Sequence, residues 1–357
     1  MTATTAEPSP FDQEFADSVR PDRLQLILLP TEQCNFRCTY CYEDFEIGRM
    51  APEVVAGVKN LIDRRAAGLR HLQVSWFGGE PMLARAIVEE VAEHVRQAQR
   101  RHPELAYGSD MTTNGYLLDG RTAERLSGLG VRSYQVSLDG PDAFHDRTRV
   151  RADGRGTFEQ IWRNLVEIRE GSADLRMMLR VHLTPENLPA MPGFLTRVRD
   201  TFLDDPRFRV FLKRVVRLGG PNDATMEVIG RDERQIDELR ALLTEGGGPE
   251  RLFTAEQVCY AAKANSLLVR ADGRLGKCTV ALSDAANDIG RLRPDGSLEV
   301  DNPKLRPWLQ GWAERDPELN GCPYSAFTST RAPGRTQAAA LPLLQIAARP
   351  PVPAPAG

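Results

Sequence analysis

Short apolar runs alternate along this chain with longer stretches of helical periodicity. Leu24-Gln-Leu-Ile-Leu-Leu29 is nearly continuous in its apolar character and has the length of a buried strand, here read as 23–29. Similar runs recur at 72–77, 107–113, 131–138, 175–183 and 208–216. Helical spacing fills the intervals at 52–67, 83–101, 119–129 and 157–170, the last with Phe158, Ile161, Trp162, Leu165 and Ile168 on one stripe. Buried strands alternating with amphipathic helices predict β/α units on a parallel sheet. About six units fit a partial (β/α)6 barrel of the TIM type, an α/β fold whose chemistry sits at the C-terminal strand ends.

The pattern changes at Gly219-Gly-Pro-Asn222, which reads as a boundary. A helix is expected over 232–245 (Ile236, Leu239, Leu242, Leu243), ending at Gly246-Gly-Gly248. Beyond it, Leu267-Leu-Val269 and Lys277-Cys-Thr-Val-Ala281 flank Ala271-Asp-Gly-Arg274, a hairpin signal. The expected organisation is a flexible lead-in (1–22), a core (23–218), a linker helix with a smaller domain (219–331), and a loosely ordered Ala/Pro-rich tail (332–357). No internal repeat is visible beyond the alternation.

Composition narrows the class only modestly. The 357 residues exceed the usual size of a single core, and 41% hydrophobic with 27% charged content is ordinary for a soluble protein. A net charge of −3 and a pI near 6.1 give no electrostatic reason to expect nucleic acid or an anionic membrane. No window approaches a membrane span, and the acidic, Pro-bearing start is unlike a signal peptide, so a cytoplasmic location is expected.

The six cysteines change the picture more. Three crowd one loop and three lie far downstream, a distribution suited to metal ligation in a reducing compartment rather than to disulfides. Cys34-Asn-Phe-Arg-Cys38-Thr-Tyr-Cys41 follows the first strand directly. Three thiolates at this spacing can hold three irons of a four-iron cluster and leave the fourth open to a substrate or cofactor. A zinc site is the competing reading, but a closed one needs four ligands, and the five histidines (His71, His94, His102, His145, His182) are scattered.

This stretch, with Tyr40 before its third cysteine, resembles the signature of the radical S-adenosylmethionine (radical SAM) enzymes. The resemblance implies a [4Fe-4S] cluster on Cys34, Cys38 and Cys41, with the amino and carboxylate groups of SAM on the open iron. One electron from the cluster then cleaves the sulfonium, and the resulting 5′-deoxyadenosyl radical abstracts hydrogen from substrate. In such enzymes a motif like Gly78-Gly79-Glu80-Pro81 presents backbone carbonyls and the Glu to the SAM ammonium; by itself it could be an ordinary βα turn, with glycines permitting close backbone approach. Asn114 ends the third strand and Ser137 and Asp139 the fourth, where short polar groups reach a nucleoside amino acid; Asp139-Gly-Pro141 equally suits turn chemistry. Arg149 and Arg180 are candidates for the SAM carboxylate, against the alternatives of a solvated Arg149 and a solvent-facing fifth strand. His182, on the same face of that strand as Arg180, reads as packing or hydrogen bonding rather than as a base.

Cys259, Gly273 and Cys278 are spaced like the opening of the SPASM domain, the iron–sulfur extension of radical SAM peptide maturases, but only Cys322 follows. The resemblance therefore implies a shortened, twitch-type domain with one auxiliary [4Fe-4S] cluster on Cys259, Cys278 and Cys322; three unconnected structural thiols are the alternative. The segment Asp142-Ala-Phe-His145-Asp-Arg-Thr-Arg149 resembles the peptide-modifying branch. The implied function is modification of a ribosomally made peptide, by crosslinking (cyclophane-type included) or other C–H activation, with a precursor peptide and a flavodoxin or ferredoxin as partners. An anaerobic sulfatase-maturating enzyme is the enzymatic alternative, and a non-catalytic iron–sulfur or zinc protein the alternative of another class. No general acid or base is assigned.

Overall fold

The computed structural model describes residues 9–230, 234–245, 247, 252 and 258–328. The expected tail at 332–357 and the start of the 232–245 helix lie outside the described residues. Six parallel strands form the core: β1 (Arg23–Leu28), β3 (His71–Trp76), β4 (Ala106–Thr113), β5 (Ser133–Leu138), β7 (Arg176–Leu183) and β8 (Phe208–Arg214), adjacent in that order. Helices α2 (Pro52–Ala66), α3 (Arg85–Arg101), α4 (Gly120–Gly128), α6 (Phe158–Glu170) and α7 (Met191–Phe202) connect them, making an α/β open partial barrel. Local chemistry sets the helix starts: Pro52 stands in the first turn of α2, and the Asp119 side chain accepts from Thr122 N–H at the start of α4.

The two faces of the sheet differ in kind. Side chains of registered neighbours share a face. Leu26, Val74, Met111, Tyr134, Leu179 and Val210 lie on the helix-covered face, each almost fully buried. Each such side chain contributes roughly 1.5–3 kcal/mol by leaving water. The opposite, interior face carries Gln25, Gln73, Ser75, Asp110, Gln135, Ser137, Arg180 and His182. A hydrogen-bonded floor spans it, from Gln25 Nε2 to Ser75 Oγ (3.3 Å), and from Ser75 Oγ and Gln73 Nε2 to Asp110 Oδ1 (2.8 and 2.6 Å).

Three features depart from the sequence reading. Where a flexible lead-in is expected, Pro10–Val19 form helix α1, capped by Ser9, with Phe11 and Phe15 against Trp312 at centroid distances of 5.3 and 5.7 Å. The downstream region continues the core sheet: β9 (Ser266–Val269) pairs parallel with β1, followed by β10 (Arg274–Gly276), β11 (Gly290–Leu292) and β12 (Leu298–Val300) in antiparallel succession. The second arm of the hairpin stops at Gly276 rather than running through 277–281. The Asn287 side-chain oxygen takes the Lys277 and Cys278 N–H groups that a ladder would need (2.8 and 2.9 Å). Finally, β2 (Phe36–Cys38) and β6 (Arg149–Arg151) form a small antiparallel sheet of their own, with α5 (Asp142–Thr148) between β5 and β6.

Candidate active site

The loop after β1 is closed at its base, where Thr31 bridges Arg49 and Met50 N–H donates to Pro30 O (2.9 Å). Three further elements fix it from outside. The first is the turn after β3. Gly78 has φ +109°, and a Cβ there would stand 2.2 Å from Thr31 O; a Cβ on Gly79 would stand 2.4 Å from Gln33 O. These glycines let the backbone pass against the loop, where Glu80 N–H donates to Gln33 O (3.0 Å). The second is β6, whose register sets Arg149 opposite Cys38. The third comes from downstream. Glu32, 2% exposed, receives the Arg270 guanidinium (Nε at 3.1 and 3.2 Å) and Ala271 N–H (3.2 Å), and Arg270 also donates to Leu282 O (2.6 Å).

Removing one partner of such a buried pair strands the other charge, at a cost of about 3–5 kcal/mol. Arg270→Met is therefore expected to destabilise the protein by about that amount in anaerobic urea unfolding. An effect under about 1 kcal/mol would mean that Glu32 finds other compensation.

Cys34, Cys38 and Cys41 all project from this loop as free thiols, within electrostatic reach of one another. Burial pushes all three up, Cys41 to about 12, so a metal rather than neighbouring cations would ionise them. Among the described residues no three His, Cys, Asp or Glu side chains converge on a single-ion site. A cluster makes no such demand, since each thiolate binds a different iron. The donor set fits an iron–sulfur cluster with one iron lacking a protein thiolate.

Around the loop the strand ends build a polar network. Asp139, 2% exposed, accepts from Tyr40 OH (2.9 Å), Thr148 Oγ1 (2.6 Å) and His182 Nδ1 (3.0 Å), while Arg149 Nη1 donates to Tyr40 OH (2.7 Å). Burial alone would raise the Asp139 carboxyl; the His182 hydrogen bond and the charge of Arg149 outweigh it and hold it well below the carboxylate range. Burial pushes His182 down to about 4, so it is neutral at pH 7. Asn187 Nδ2 ties the strand ends together through Asp139 O and His182 O, both at 2.9 Å.

Behind this network His145 is fully buried. Its Nδ1 accepts from Asp139 N–H (3.3 Å), so the proton must sit on Nε2, which faces Thr157 Oγ1 (3.1 Å). Burial pushes His145 down to about 4, against 6.5 for the free side chain. The unfolded chain binds this proton more readily, so stability is intact above pH 6.5 and is lost as pH falls toward 4, by roughly 3 kcal/mol from this group. Denaturant midpoints across that window should flatten in His145→Gln; an unchanged slope would contradict the assignment.

The anticipated site residues thus gather at one end of the barrel, in differing roles. Both Glu80 oxygens are engaged by the protein: Oε1 accepts from Met82 N–H (2.9 Å) and Thr113 Oγ1 (2.8 Å), Oε2 from Asn114 N–H (2.7 Å). Asn114 is committed to Asn35 Oδ1 (2.8 Å) and to its own turn. Ser137 and Arg180 lie on the interior face, and Arg180 Nε is buried without a partner among the described residues. Cys259, Cys278 and Cys322 are brought within electrostatic reach of one another, Cys259 N–H bonding to Asn320 O (2.8 Å) and Asn287 holding the turn at Cys278. Burial raises Cys278 to about 11. Tyr42 sits between the two sets, beside both Cys41 and Cys278.

Sequence reasoning missed two contributors. Glu43 is pushed up to about 8 by burial and by the nearby Glu32 and Asp44, with Oε2 unpartnered among the described residues. Gly220 passes so close to the loop that a Cβ would stand 2.3 Å from Cys41 O, and Asn222 donates to Thr39 O (2.8 Å). The glycine pair at 219–220 was legible only as a boundary, because its contact partner lies far upstream.

With this geometry in hand, the comparisons with known proteins are specific at the level of family. Residues 28–189 match the family model of the Radical SAM superfamily. The GTP 3',8-cyclase of Microcystis aeruginosa is 35% identical over 336 residues, 84% of this chain and 92% of that protein. In fold, the chain is similar to anSMEcpe with bound AdoMet and Cp18Cys peptide (TM-score 0.59, 19% identity, 80% of each chain). It is also similar to Streptococcus suis SuiB bound to precursor peptide SuiA (TM-score 0.56, 12% identity, 84% of this chain and 69% of that one). No described helix is long and apolar enough to cross a membrane. A thiol triad on the loop after β1, the partial barrel and these matches lead to one assignment: the chain belongs to the radical SAM superfamily, whose enzymes use a [4Fe-4S] cluster and SAM.

Proposed function

We propose that this enzyme modifies a ribosomally made peptide by radical C–H activation, in the cytoplasm, with a crosslink of cyclophane type among its possible products. The observation that carries the reading is the placement of the segment 137–149, whose sequence resembles peptide maturases. It forms a wall of the site, with Asp139 and Arg149 engaging Tyr40 and β6 pairing with the cysteine loop. The fold neighbours with bound peptides support it. In this reading Cys34, Cys38 and Cys41 hold the SAM-binding cluster. Tyr40, Gly78, Gly79, Glu80, Asn114, Ser137, Asp139, Arg149 and Arg180 shape the SAM pocket, several through backbone or through one another. Bound there, cluster and SAM supply a primary carbon radical that takes hydrogen from the peptide. Cys259, Cys278 and Cys322 hold an auxiliary cluster, and a flavodoxin or ferredoxin delivers electrons.

A second reading is cyclisation of a purine nucleotide, favoured by the GTP 3',8-cyclase relative. Mass analysis of a co-expressed neighbouring peptide tests the first. A loss of two hydrogens with a crosslinked fragmentation pattern is expected, whereas an aldehyde would point to sulfatase-type maturation. An unmodified peptide together with turnover of GTP by the reconstituted enzyme would replace the proposal by the second reading.

A further inference from the structure

Two cations of the barrel interior, Arg180 and Lys213, lack a partner among the described residues. Ser137–Arg180 and His182–Lys213 are registered pairs, so Arg180 and Lys213 project from adjacent strands onto the interior face, one pleat apart. Arg180 is 9% exposed, and among the described residues its guanidinium makes no hydrogen bond or ion pair; Nε is wholly buried and orphaned. Lys213 likewise has no partner among them, and burial with Arg180 nearby pushes it down to about 8. Arg149 is a third cation acting on Arg180, and Asp139 is the carboxylate in this group, already engaged by Tyr40, Thr148 and His182. His182, neutral at pH 7, adds no charge. Arg180 borders the proposed SAM pocket, and a SAM carboxylate beside it would still leave Lys213 without an anion. Buried charges persist where a partner arrives to pair them.

We propose that Arg180 and Lys213 form an anion subsite that receives a carboxylate of the substrate peptide, positioning an Asp or Glu side chain, or the peptide's own C-terminus, beside the residue to be modified. The inference rests on the peptide reading above and deepens it. A carboxylate suits two side chains facing one narrow interior. A nucleoside triphosphate, with its larger charge, calls for a broader cradle of backbone N–H groups, such as a helix N-terminus gives.

The test uses anaerobically reconstituted, SAM-loaded protein and four probes: N-acetylglutamate methylamide, its glutamine counterpart, N-acetylalanine and pyrophosphate. Ligand-observed NMR measures binding, calorimetry measures SAM affinity, and a thermal scan measures stability. The glutamate probe should bind and the glutamine probe should not. Binding of N-acetylalanine alone would assign the subsite to a C-terminal carboxylate, within the same chemistry. Lys213→Met and Arg180→Gln should each weaken the acidic probe at least about tenfold. Lys213→Met should leave SAM affinity unchanged and raise the thermal midpoint of probe-free protein by a few degrees, because a part-buried cation with no partner among the described residues has been removed. Binding of neither the glutamate probe nor N-acetylalanine in preference to the amide probe would overturn the proposal. So would a fall in SAM affinity in both variants, or a lower midpoint in Lys213→Met, which would reveal a partner for that ammonium. If no anion binds while the precursor peptide is still modified, the subsite falls alone. If pyrophosphate binds and the carboxylates do not, the peptide reading falls with it.

Discussion

Replacing Cys34, Cys38 and Cys41 together by alanine is expected to abolish 5′-deoxyadenosine formation while leaving a folded, iron-containing protein. Cys34 and Cys38 pack against the edge of the core and Cys34 Sγ accepts from Phe36 N–H (3.3 Å), so alanine costs some packing, but the loop is held independently: its base is closed by Thr31 and Arg49 and its flanks by Glu80 N–H and the β2–β6 ladder. The downstream thiols stand on separate supports, at Asn320 O and Asn287 Oδ1. Wild type should therefore bind about eight irons per chain, as two four-iron clusters, and the triple variant about four. Cys278→Ala should lose the complementary half. SAM cleavage persisting in the triple variant would refute the assignment of the first cluster. A wild type with only about four irons, all dependent on the upstream cysteines, would leave the downstream region without a cluster.

Gly79→Val is expected to be nearly as damaging, by a different route. Its Cβ would meet Gln33 O at 2.4 Å and Glu32 O at 2.7 Å, both backbone atoms. Neither can swing aside as a side chain would, so the turn after β3 must separate from the cysteine loop, breaking the bond from Glu80 N–H to Gln33 O. From sequence, this substitution is expected to crowd the methionine end of SAM without loss of iron. The geometry moves the effect to the loop itself: upstream iron should fall, to about half or less of its wild-type occupancy, along with SAM binding. Gly48→Ala, in open space in the same loop, is the control and should be close to silent. Full iron occupancy with weakened SAM binding in Gly79→Val would restore the simpler account.

The strands were legible because each carries apolar residues on its helix-covered face within a short run between helical stretches, and the cysteine loop because its spacing is rare outside metal sites. What escaped notice depended on partners far along the chain. Ser9-Pro10 with Asp12 is a helix-start signal, but a ten-residue helix is marginal alone and its aromatic residues find Trp312 only after folding. The end of β10 at Gly276 is set by one side chain, Asn287, which takes N–H groups that local propensity assigns to a strand. The interior placement of Arg180 and His182 could not be chosen from alternation alone, since period-two patterning names two faces without saying which meets solvent; pairing with Ser137 and Lys213 decides it. Asp139 looked equally like turn chemistry or a ligand contact. The fold uses it to hold Tyr40, Thr148 and His182 in one network.

The central claim is that a radical generated at the Cys34–Cys38–Cys41 loop takes hydrogen from a peptide. Isotope transfer tests it most directly. A precursor peptide deuterated at the carbon that becomes modified should pass one deuterium into 5′-deoxyadenosine, read by mass spectrometry, in step with peptide product. Modification of that peptide with no deuterium in 5′-deoxyadenosine, or deuterium arriving only from a nucleotide substrate, would contradict it.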